Sequence, residues 1–289
     1  MKFENTIVYN FENAFRGMRN PMNSWDKSDS FFGIVSLDYV SEDTEIADEW
    51  VKTFHPDLNW PEEFTDEGCS LAEKYADKLI KNGVLRLNNH DDNVADLAFI
   101  GPQDMKLAQT LIKAGPEHRK FLRQIFVSVD ITAPLFLWKE LDTYKIGTAA
   151  NSTSTMHKLT NKPITLDCFE IDDFNKNLEY YQGNTTGMLS EIIIEQLEFL
   201  RQKYLKTKDK KYWKELVRWL PESWLQTRTW TANYEVIRSI CQQRRNHKLN
   251  EWSGVDDSHL NNFIQWARTL PYAQYFIFDD ENIPFSFEK

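Results

Sequence analysis

The sequence of 289 residues has few cysteines, glycines and prolines: three Cys, 10 Gly and 10 Pro. Cys69, Cys168 and Cys241 are odd in number, widely separated and without the spacing of a metal site. We therefore expect buried, reduced thiols, with neither a disulfide framework nor a bound metal. The scarcity of Gly and Pro, together with many Leu, Lys, Glu and Trp residues, favours a largely helical protein over an all-β one.

The sequence also has fewer basic than acidic residues and lacks long apolar runs. The 34 Lys and Arg residues are outnumbered by 44 Asp and Glu residues, and the net charge is -10. This balance argues against a general binder of nucleic acid or anionic membranes, since either function needs a basic surface. No apolar run approaches the ~18 residues of a membrane-spanning helix, and the stretch "MKFENTIVYNFENAF" has no signal-peptide core. We expect a cytoplasmic protein with no membrane or nucleic-acid partner.

The residues that are present, 41% hydrophobic and 14% aromatic, can fill a sizeable core. Residues 125–132, "IFVSVDIT", alternate apolar and polar side chains and predict a strand. The segment from Pro134 predicts a helix that ends near Lys145, and a polar loop over 148–157 follows it. Helical patterns cover residues 62–83, 102–115, 185–209, 210–221, 227–249 and 258–273. Without a repeat or a linker, the sequence predicts one α+β domain over residues 1–289.

Common enzyme signatures are absent: there is no Walker loop, dinucleotide-binding glycine pattern, pair of metal-spaced His residues or nucleophile elbow. Two polar features remain, the hydroxyl and amide run from Thr148 to His157 and the basic stretch that begins at Arg244. Together they predict a nucleotide site, because hydroxyls and amides bind phosphate oxygens and arginine forks bind phosphate or pyrimidine oxygens. A solvated turn or helix cap, and compensation of a helix dipole, are the alternative interpretations. Asn233, within a predicted helix, is there either for ligand binding or as a solvent-facing amide.

The segment "LPESWLQTRTWTANYEVIRSICQQRR", residues 220–245, resembles the C-terminal signature of flavin-dependent thymidylate synthases. The matching residues are Leu220, Pro221, Trp230, Thr231, Asn233 and Arg244. His118, the strand 125–132 and the pair Ala133–Pro134 follow the same family pattern, and the resemblance spans about residues 118–252. The family's Arg-His-Arg motif is degenerate here, since Thr143, Tyr144 and Lys145 stand in its place. Thr148 replaces a family Ser, and Ser154–Met156 replace a Ser-x-Arg.

This resemblance implies a homotetramer in which long helices pack on a mixed β-sheet and FAD binds between subunits. It implies reductive methylation of a dUMP-like pyrimidine nucleotide, with NADPH and methylenetetrahydrofolate as co-substrates. The carried-over flavin-binding residues are His118, Tyr144, Lys145 and Asn233. The nucleotide-binding residues are Arg218, Thr148, Asn151, Ser154 and Arg244. Arg244 is also the expected catalytic residue, because it favours the ionised form of the pyrimidine.

Three functional interpretations stay open at this point. In the first interpretation, the chain is a flavin-dependent methyltransferase of the thymidylate synthase type, in which the altered residues rebuild the site. Alternatively, it is a non-catalytic protein that keeps the family fold and binds or sequesters a nucleotide or serves as an assembly partner. The third interpretation is a structural relic without a ligand, since a fold outlives its function.

Overall fold

A computed structural model of the protein describes residues 1–36, 85–88, 91–253 and 261–278. The chain divides into two compact units. Unit 1 comprises Met1–Ile7, Ser128–Ala232 and Asn246–Phe263, and unit 2 comprises the described residues of Val8–Val127, Asn233–Arg245 and Ile264–Lys289. The predicted α+β class is confirmed, because helices and sheets both form in the chain. The single domain over residues 1–289 stays a prediction.

A four-stranded sheet with the order β1-β5-β9-β6 organises unit 1. Its strands are β1 (Lys2–Tyr9), β5 (Phe126–Pro134), β6 (Ala149–Ser152) and β9 (Leu225–Asn233). The hydroxyls of Thr132 and Thr227 lie 2.7 Å apart and those of Ser128 and Thr231 lie 3.4 Å apart, so β5 and β9 run in opposite directions. Along β5 the side chains alternate between buried and partly exposed, as the strand pattern predicted.

The helices of unit 1 flank this sheet in the sequence. They are α3 (Leu135–Leu141), α4 (Thr155–Lys158), α5 (Thr186–Thr207), α6 (Lys210–Arg218) and α8 (Asn250–Ser253). A short hairpin of β7 (Glu179–Tyr181) and β8 (Asn184–Thr185) precedes α5. Helices α5 and α6 share a small core, in which Leu197 and Leu216 pack with Leu159, Ile164 and Phe169.

Unit 2 contains an antiparallel sheet with the order β2-β4-β3 and an aromatic core. Its elements are β2 (Phe31–Ser36), β3 (Leu85–Asn88), β4 (Asp91–Phe99), α1 (Phe11–Arg19), α2 (Pro102–Ala114), α7 (Tyr234–Arg244) and α10 (Ala273–Phe276). The Phe15 ring lies 5.7 Å from Phe121 and 6.0 Å from Phe276.

A buried ion pair in unit 2 joins Arg19 to Asp104 at 2.5 Å. Serine hydroxyls satisfy the remaining carboxylate oxygen of Asp104, so the buried charge is fully hydrogen-bonded.

The helix predicted over 227–249 is wrong in its first part, where the chain forms strand β9 before α7 begins at Tyr234. The physical reason is a period of two: Gln226, Trp230 and Ala232 are buried, whereas the threonines between them are more exposed. Asn233 therefore precedes the helix and does not lie inside it.

Two other predictions need correction in detail. The polar loop over 148–157 contains strand β6 and the one-turn helix α4. The helix predicted over 258–273 is shorter: α9 (Phe263–Arg268) ends before Pro271, and α10 begins after it. The helices predicted over 102–115, 185–209 and 210–221 are confirmed. The helix predicted over 62–83 lies outside the described residues. No helix in the described part of the chain is both long and apolar enough to cross a membrane.

Candidate functional site

The polar run and the first part of the 220–245 signature contribute neighbouring strands to one sheet. β6 comes from the polar run and pairs antiparallel with β9 from the 220–245 signature. In this register Asn151 is opposite Thr229 and Ser152 is opposite Arg228. Side chains at opposed positions lie on the same face of a sheet. Asn151 therefore shares a face with Thr229, and Ser152 shares the other face with Arg228.

A tight turn connects α3 to β6 and carries Tyr144, Lys145 and Thr148. The backbone N–H of Tyr144 donates to the carbonyl oxygen of Leu141 at 3.0 Å. The Thr148 hydroxyl donates to the carbonyl oxygen of Tyr144 at 2.6 Å, so it closes the turn. Gly147 has a φ of 78°, in the left-handed region that glycine adopts without strain. Lys145 is exposed at this turn and carries its charge into solvent.

Ser154 caps helix α4, where its hydroxyl oxygen accepts a hydrogen bond from the backbone N–H of His157 at 3.2 Å. The alternative interpretation of a helix cap therefore accounts for Ser154. Asn151 is exposed on β6. Of the predicted nucleotide-binding residues in this run, Asn151 presents an amide to solvent, whereas Thr148 and Ser154 use their hydroxyls to fix the local backbone.

Three residues that the sequence did not indicate hold this polar run in place: Gln226, Arg228 and Asp142. The buried amide of Gln226 donates to the carbonyl oxygen of Thr153 at 2.9 Å. Arg228 donates through Nε to the Gln226 side-chain oxygen at 3.0 Å and through Nη1 to Asp142 at 2.9 Å. The Arg228 guanidinium also lies 4.3 Å from the ring centre of Trp138. Such stacking orients the planar cation beside β6.

The opposite face of the sheet carries the hydroxyl of Thr229 and the carboxylate of Asp130. Asp130 accepts hydrogen bonds from Thr229 at 2.5 Å and from the Asn5 amide at 2.8 Å. These two bonds, with that from Thr229 the stronger, hold the pKa of Asp130 below its usual range. An ionised Asp130 repels anions, so a phosphate group is better accommodated near the exposed Lys145 than near Asp130.

Arg218, also in unit 1, is the last residue of α6. Its guanidinium pairs with Glu215 one turn earlier, and the side chain remains about half exposed. Charges at the end of a helix commonly form such pairs. This local pair accounts for the Arg218 position without a ligand, and a nucleotide phosphate would have to compete with Glu215 for the guanidinium.

Three predicted site residues belong to unit 2: His118, Asn233 and Arg244. His118 is exposed in a turn where its backbone N–H donates to the Gly115 carbonyl oxygen at 3.0 Å. Asn233 is buried at the start of α7, and its side-chain oxygen accepts from the backbone N–H of Val236 at 3.0 Å. Arg244 is the last residue of the same helix and is half-buried. An 11-residue helix is about 16 Å long, so Asn233 and Arg244 can contact only different parts of a ligand.

The thiol of Cys241 and the hydroxyl of Tyr234 are both buried. Burial raises the pKa of Cys241 to about 12, so this thiol is neutral and inert near neutral pH. Burial likewise raises the pKa of Tyr234 well above its usual range. Within residues 1–36, 85–88, 91–253 and 261–278, no group of three or more His, Cys, Asp or Glu side chains is arranged to hold a metal ion.

Comparison with known proteins gave matches among solved structures, at low sequence identity, but no matching family model and no matching curated protein. One is flavin-dependent thymidylate synthase ThyX from Helicobacter pylori complexed with FAD and dUMP. It aligns at 14% identity over 87% of this chain and 98% of that chain, with a TM-score of 0.45. A second structure of the H. pylori enzyme with FAD and dUMP aligns at 14% identity over 87% of this chain and 97% of that chain, with a TM-score of 0.42. Another is a UMP/dUMP methylase PolB from Streptomyces cacaoi bound with 5-Br UMP. It aligns at 13% identity over 60% of this chain and 84% of that chain, with a TM-score of 0.38. Similarities at this level establish neither the family nor the activity of this chain.

Proposed function

We propose that the protein binds FAD and a dUMP-like pyrimidine nucleotide and carries out reductive methylation as a cytoplasmic homotetramer. NADPH and methylenetetrahydrofolate are the co-substrates in this proposal. The observation that supports it is the pairing of β6 with β9, since it makes the polar run and part of the 220–245 signature adjacent strands. A nucleotide site assembled from both would need this adjacency.

The roles of the residues follow from their chemistry. Tyr144 and the exposed Lys145 provide a ring and a cation for the flavin, with His118 and Asn233 as further contacts. The donor set fits an anionic cofactor, because the turn at 144–148 presents a cation and β6 presents the exposed amide of Asn151. Bound reduced flavin supplies the hydride. The protein itself supplies binding and electrostatic stabilisation rather than a nucleophile.

Arg244 is the proposed catalytic residue, and it also binds the nucleotide together with Arg218, Thr148, Asn151 and Ser154. A guanidinium fork that binds the pyrimidine oxygens stabilises the negative charge on the ionised ring. A hydroxyl both donates and accepts hydrogen bonds. The Thr148 hydroxyl, which donates within the turn, would accept a hydrogen bond from the ligand, and the Ser154 hydroxyl, which accepts within the cap, would donate one.

A second candidate function is nucleotide binding without catalysis. The observation that favours it is the use of the Thr148 and Ser154 hydroxyls in local backbone contacts. Both arginines of the Arg-His-Arg motif are absent, with only Lys145 to replace their charge, so much of the anion-binding chemistry of that motif is lost. The two candidates therefore differ in whether the protein takes up flavin.

The deciding experiment is an absorption spectrum of the purified protein from about 300 to 550 nm, with FAD added if the protein is colourless. A flavin band that NADPH bleaches supports the flavoenzyme and justifies assays with dUMP and methylenetetrahydrofolate. A protein that binds no flavin at saturating FAD, yet binds dUMP in calorimetry, supports the non-catalytic candidate. Binding of neither compound overturns both.

The role of Arg244 has its own test. Arg244→Ala should weaken dUMP binding by about 1.5 to 3 kcal/mol, the range for a lost hydrogen bond to a charged group. Arg245→Ala is the matched control, because Arg245 is the next residue along, carries the same charge and is exposed. Equal affinities of the two variants for dUMP in titration calorimetry would contradict the role given to Arg244.

A further inference from the structure

The first turn of α7 is held at two points by one segment of unit 2, residues 118–125, which we call the clamp segment. The backbone N–H of Tyr234 donates to the carbonyl oxygen of Ile125, at the end of the clamp segment, at 3.0 Å. Near its start, Arg119 forms an ion pair with Glu235, the second residue of α7. The clamp segment therefore helps to fix the position of the N-terminal turn of α7.

The ion pair defines an orientation as well as a distance. The guanidinium of Arg119 donates through Nε to Oε2 of Glu235 at 2.8 Å and through Nη2 to Oε1 at 3.0 Å. Two such bonds to a planar guanidinium fix the angle between the partners. Both side chains are only 16% exposed, so solvent and salt screen the contact less than they screen a surface ion pair.

The clamp segment is itself anchored in unit 2. Phe121 and Leu122 are buried in the middle of it. The side-chain amide of Asn10 donates to the carbonyl oxygen of Gln124 at 2.8 Å. A constraint at Arg119 therefore acts between two packed elements, which is the arrangement that positions a binding side chain accurately.

Each partner of the ion pair is close in the sequence to a residue that the flavin proposal uses. His118 directly precedes Arg119 in the clamp segment. Asn233 is the cap of α7, two residues before Glu235. Asn233 is 7% exposed, and its side-chain oxygen accepts the capping bond from Val236. Among the described residues, none accepts a hydrogen bond from its amide nitrogen, so this nitrogen is available to donate to a ligand.

We propose that Arg119 and Glu235 are positioning residues of the flavin site. Their ion pair sets the place of the His118 turn relative to the Asn233 amide, so that both residues contact one bound flavin. Residues two apart at a helix start point in different directions, so Glu235 acts through the helix and not by contact with Asn233. This role rests on the flavin binding proposed above and goes beyond it, because the family resemblance assigns no role to either partner.

A direct contact between Arg119 and the pyrophosphate of FAD is the competing explanation, and it makes the opposite prediction at Glu235. In that case Glu235→Gln would release the guanidinium for the anion and raise the affinity for FAD. A positioning pair instead loses affinity when either partner is changed. The sign of the effect at Glu235 therefore separates the two roles.

Titration of the purified protein with FAD, followed by flavin fluorescence, measures this effect. Glu235→Gln and Arg119→Gln should each lower the affinity about tenfold, the lower end of the range for residues that orient metal ligands. The double variant should lose no more than either single variant, since both changes break one contact. Glu117→Gln is the matched control and should keep wild-type affinity, because Glu117 directly precedes His118, is 81% exposed and lies 3.9 Å from Lys120.

A second control separates positioning from stability. Ile237→Val removes a methylene group from the buried side of α7, so it lowers the free energy of unfolding without changing the ion pair. Its affinity for FAD should stay that of the wild type at a temperature where circular dichroism shows every variant folded. Arg119→Lys, which keeps the charge but not the two-bond geometry, should recover only part of the affinity.

The outcomes distinguish this role from the proposed function. A wild type that takes up no FAD overturns both. If the wild type binds FAD, then unchanged or tighter binding by Glu235→Gln overturns the positioning role alone, as do losses that add in the double variant. Affinity that simply follows the free energy of unfolding, with Ile237→Val included, also overturns it.

Discussion

Helices α7 and α5 have similar apolar content but opposite relations to their own units. In α7, five of 11 residues are buried: Tyr234, Ile237, Arg238, Ile240 and Cys241. In α5, which is twice as long, only Leu197 and Arg201 are buried. The chain itself therefore covers the apolar side chains of α7 but leaves four of those of α5 exposed, Met188, Leu189, Ile192 and Phe199. The difference teaches that similar apolar content does not determine burial, because α7 is part of a closed core whereas α5 keeps an apolar stripe exposed.

The largest expected effect that separates the two kinds of apolar residue comes from Phe15→Ala. Phe15 is buried in unit 2 against Phe121 and Phe276, and its loss leaves a cavity. We expect the free energy of unfolding to fall by about 3 to 5 kcal/mol in chemical denaturation. Phe199→Ala is the matched control and should cost less than about 0.5 kcal/mol in dilute monomer, because Phe199 is already exposed. Equal losses would contradict the distinction between the closed core and the exposed side chains of α5.

The sequence predicted β5 but not β9, and the reason lies in their residues. In β5 apolar Val and Ile alternate with polar residues, so the period of two is plain. In β9 the buried positions include Gln226 and Ala232, and Trp230 also fits a helical face. Local pattern alone does not separate the two structures when polar residues are buried. The mispredicted strand also concealed Arg228, whose place beside β6 depends on long-range strand pairing.

The length of α5 was predictable, but the burial of its faces was not. A sequence with apolar residues all around a helix does not tell which face its own chain covers. The roles given by family resemblance to His118, Tyr144, Lys145, Asn233 and Arg244 stay predictions. For Thr148 and Ser154 the structure gives local roles, a turn and a cap, and these follow from the general chemistry of hydroxyl side chains.

A smaller effect is expected on the buried side of α5, at Glu198. This carboxylate accepts two hydrogen bonds from the buried Arg201, each at 2.7 Å, and one from the backbone N–H of Ile164 at 2.9 Å. Glu198→Gln removes the charge that compensates Arg201, and we expect a loss of about 2 kcal/mol in the free energy of unfolding. Gln202→Ala is the control, since Gln202 is exposed and donates to the same carboxylate. A Gln202→Ala loss as large as that of Glu198→Gln would contradict the assignment to Arg201.

The same ion pair predicts a pH dependence. Hydrogen bonds from Arg201, with smaller contributions from the backbone of Ile164 and from Gln202, lower the pKa of Glu198 to about 2. Because the folded pKa is below the unfolded value of about 4.3, the stabilisation is complete at neutral pH. It is lost as the pH falls from about 5 towards 2. Denaturation at several pH values should show this loss in the wild type and a smaller one in Glu198→Gln, and parallel pH curves would contradict it.

A further effect, of about 1 kcal/mol, is expected at the start of α7. Asn233→Ala removes the oxygen that caps the helix, a change that typically costs between about 0.5 and 2 kcal/mol. Asn233→Asp keeps a capping oxygen and should retain most of the stability. This pair of variants also separates stability from binding. If Asn233→Asp is stable but loses flavin affinity, the amide itself contacts the cofactor; if affinity follows stability in both variants, the cap alone explains the residue.

The smallest effect is expected at Ser154, because the helix that it caps has only four residues. Ser154→Ala should reduce the free energy of unfolding by about 0.5 kcal/mol, at the low end for a helix cap. Ser152→Ala is the matched control and should not change the free energy of unfolding measurably, since Ser152 is exposed on β6.

In calorimetry with dUMP, Ser154→Ala should lower affinity less than Arg244→Ala does, because a hydrogen bond from a neutral hydroxyl contributes less than one from a charged guanidinium. A loss of affinity equal to that of Arg244→Ala, with the stability unchanged, would mean that the Ser154 hydroxyl contacts the ligand and that its role as a cap is incidental.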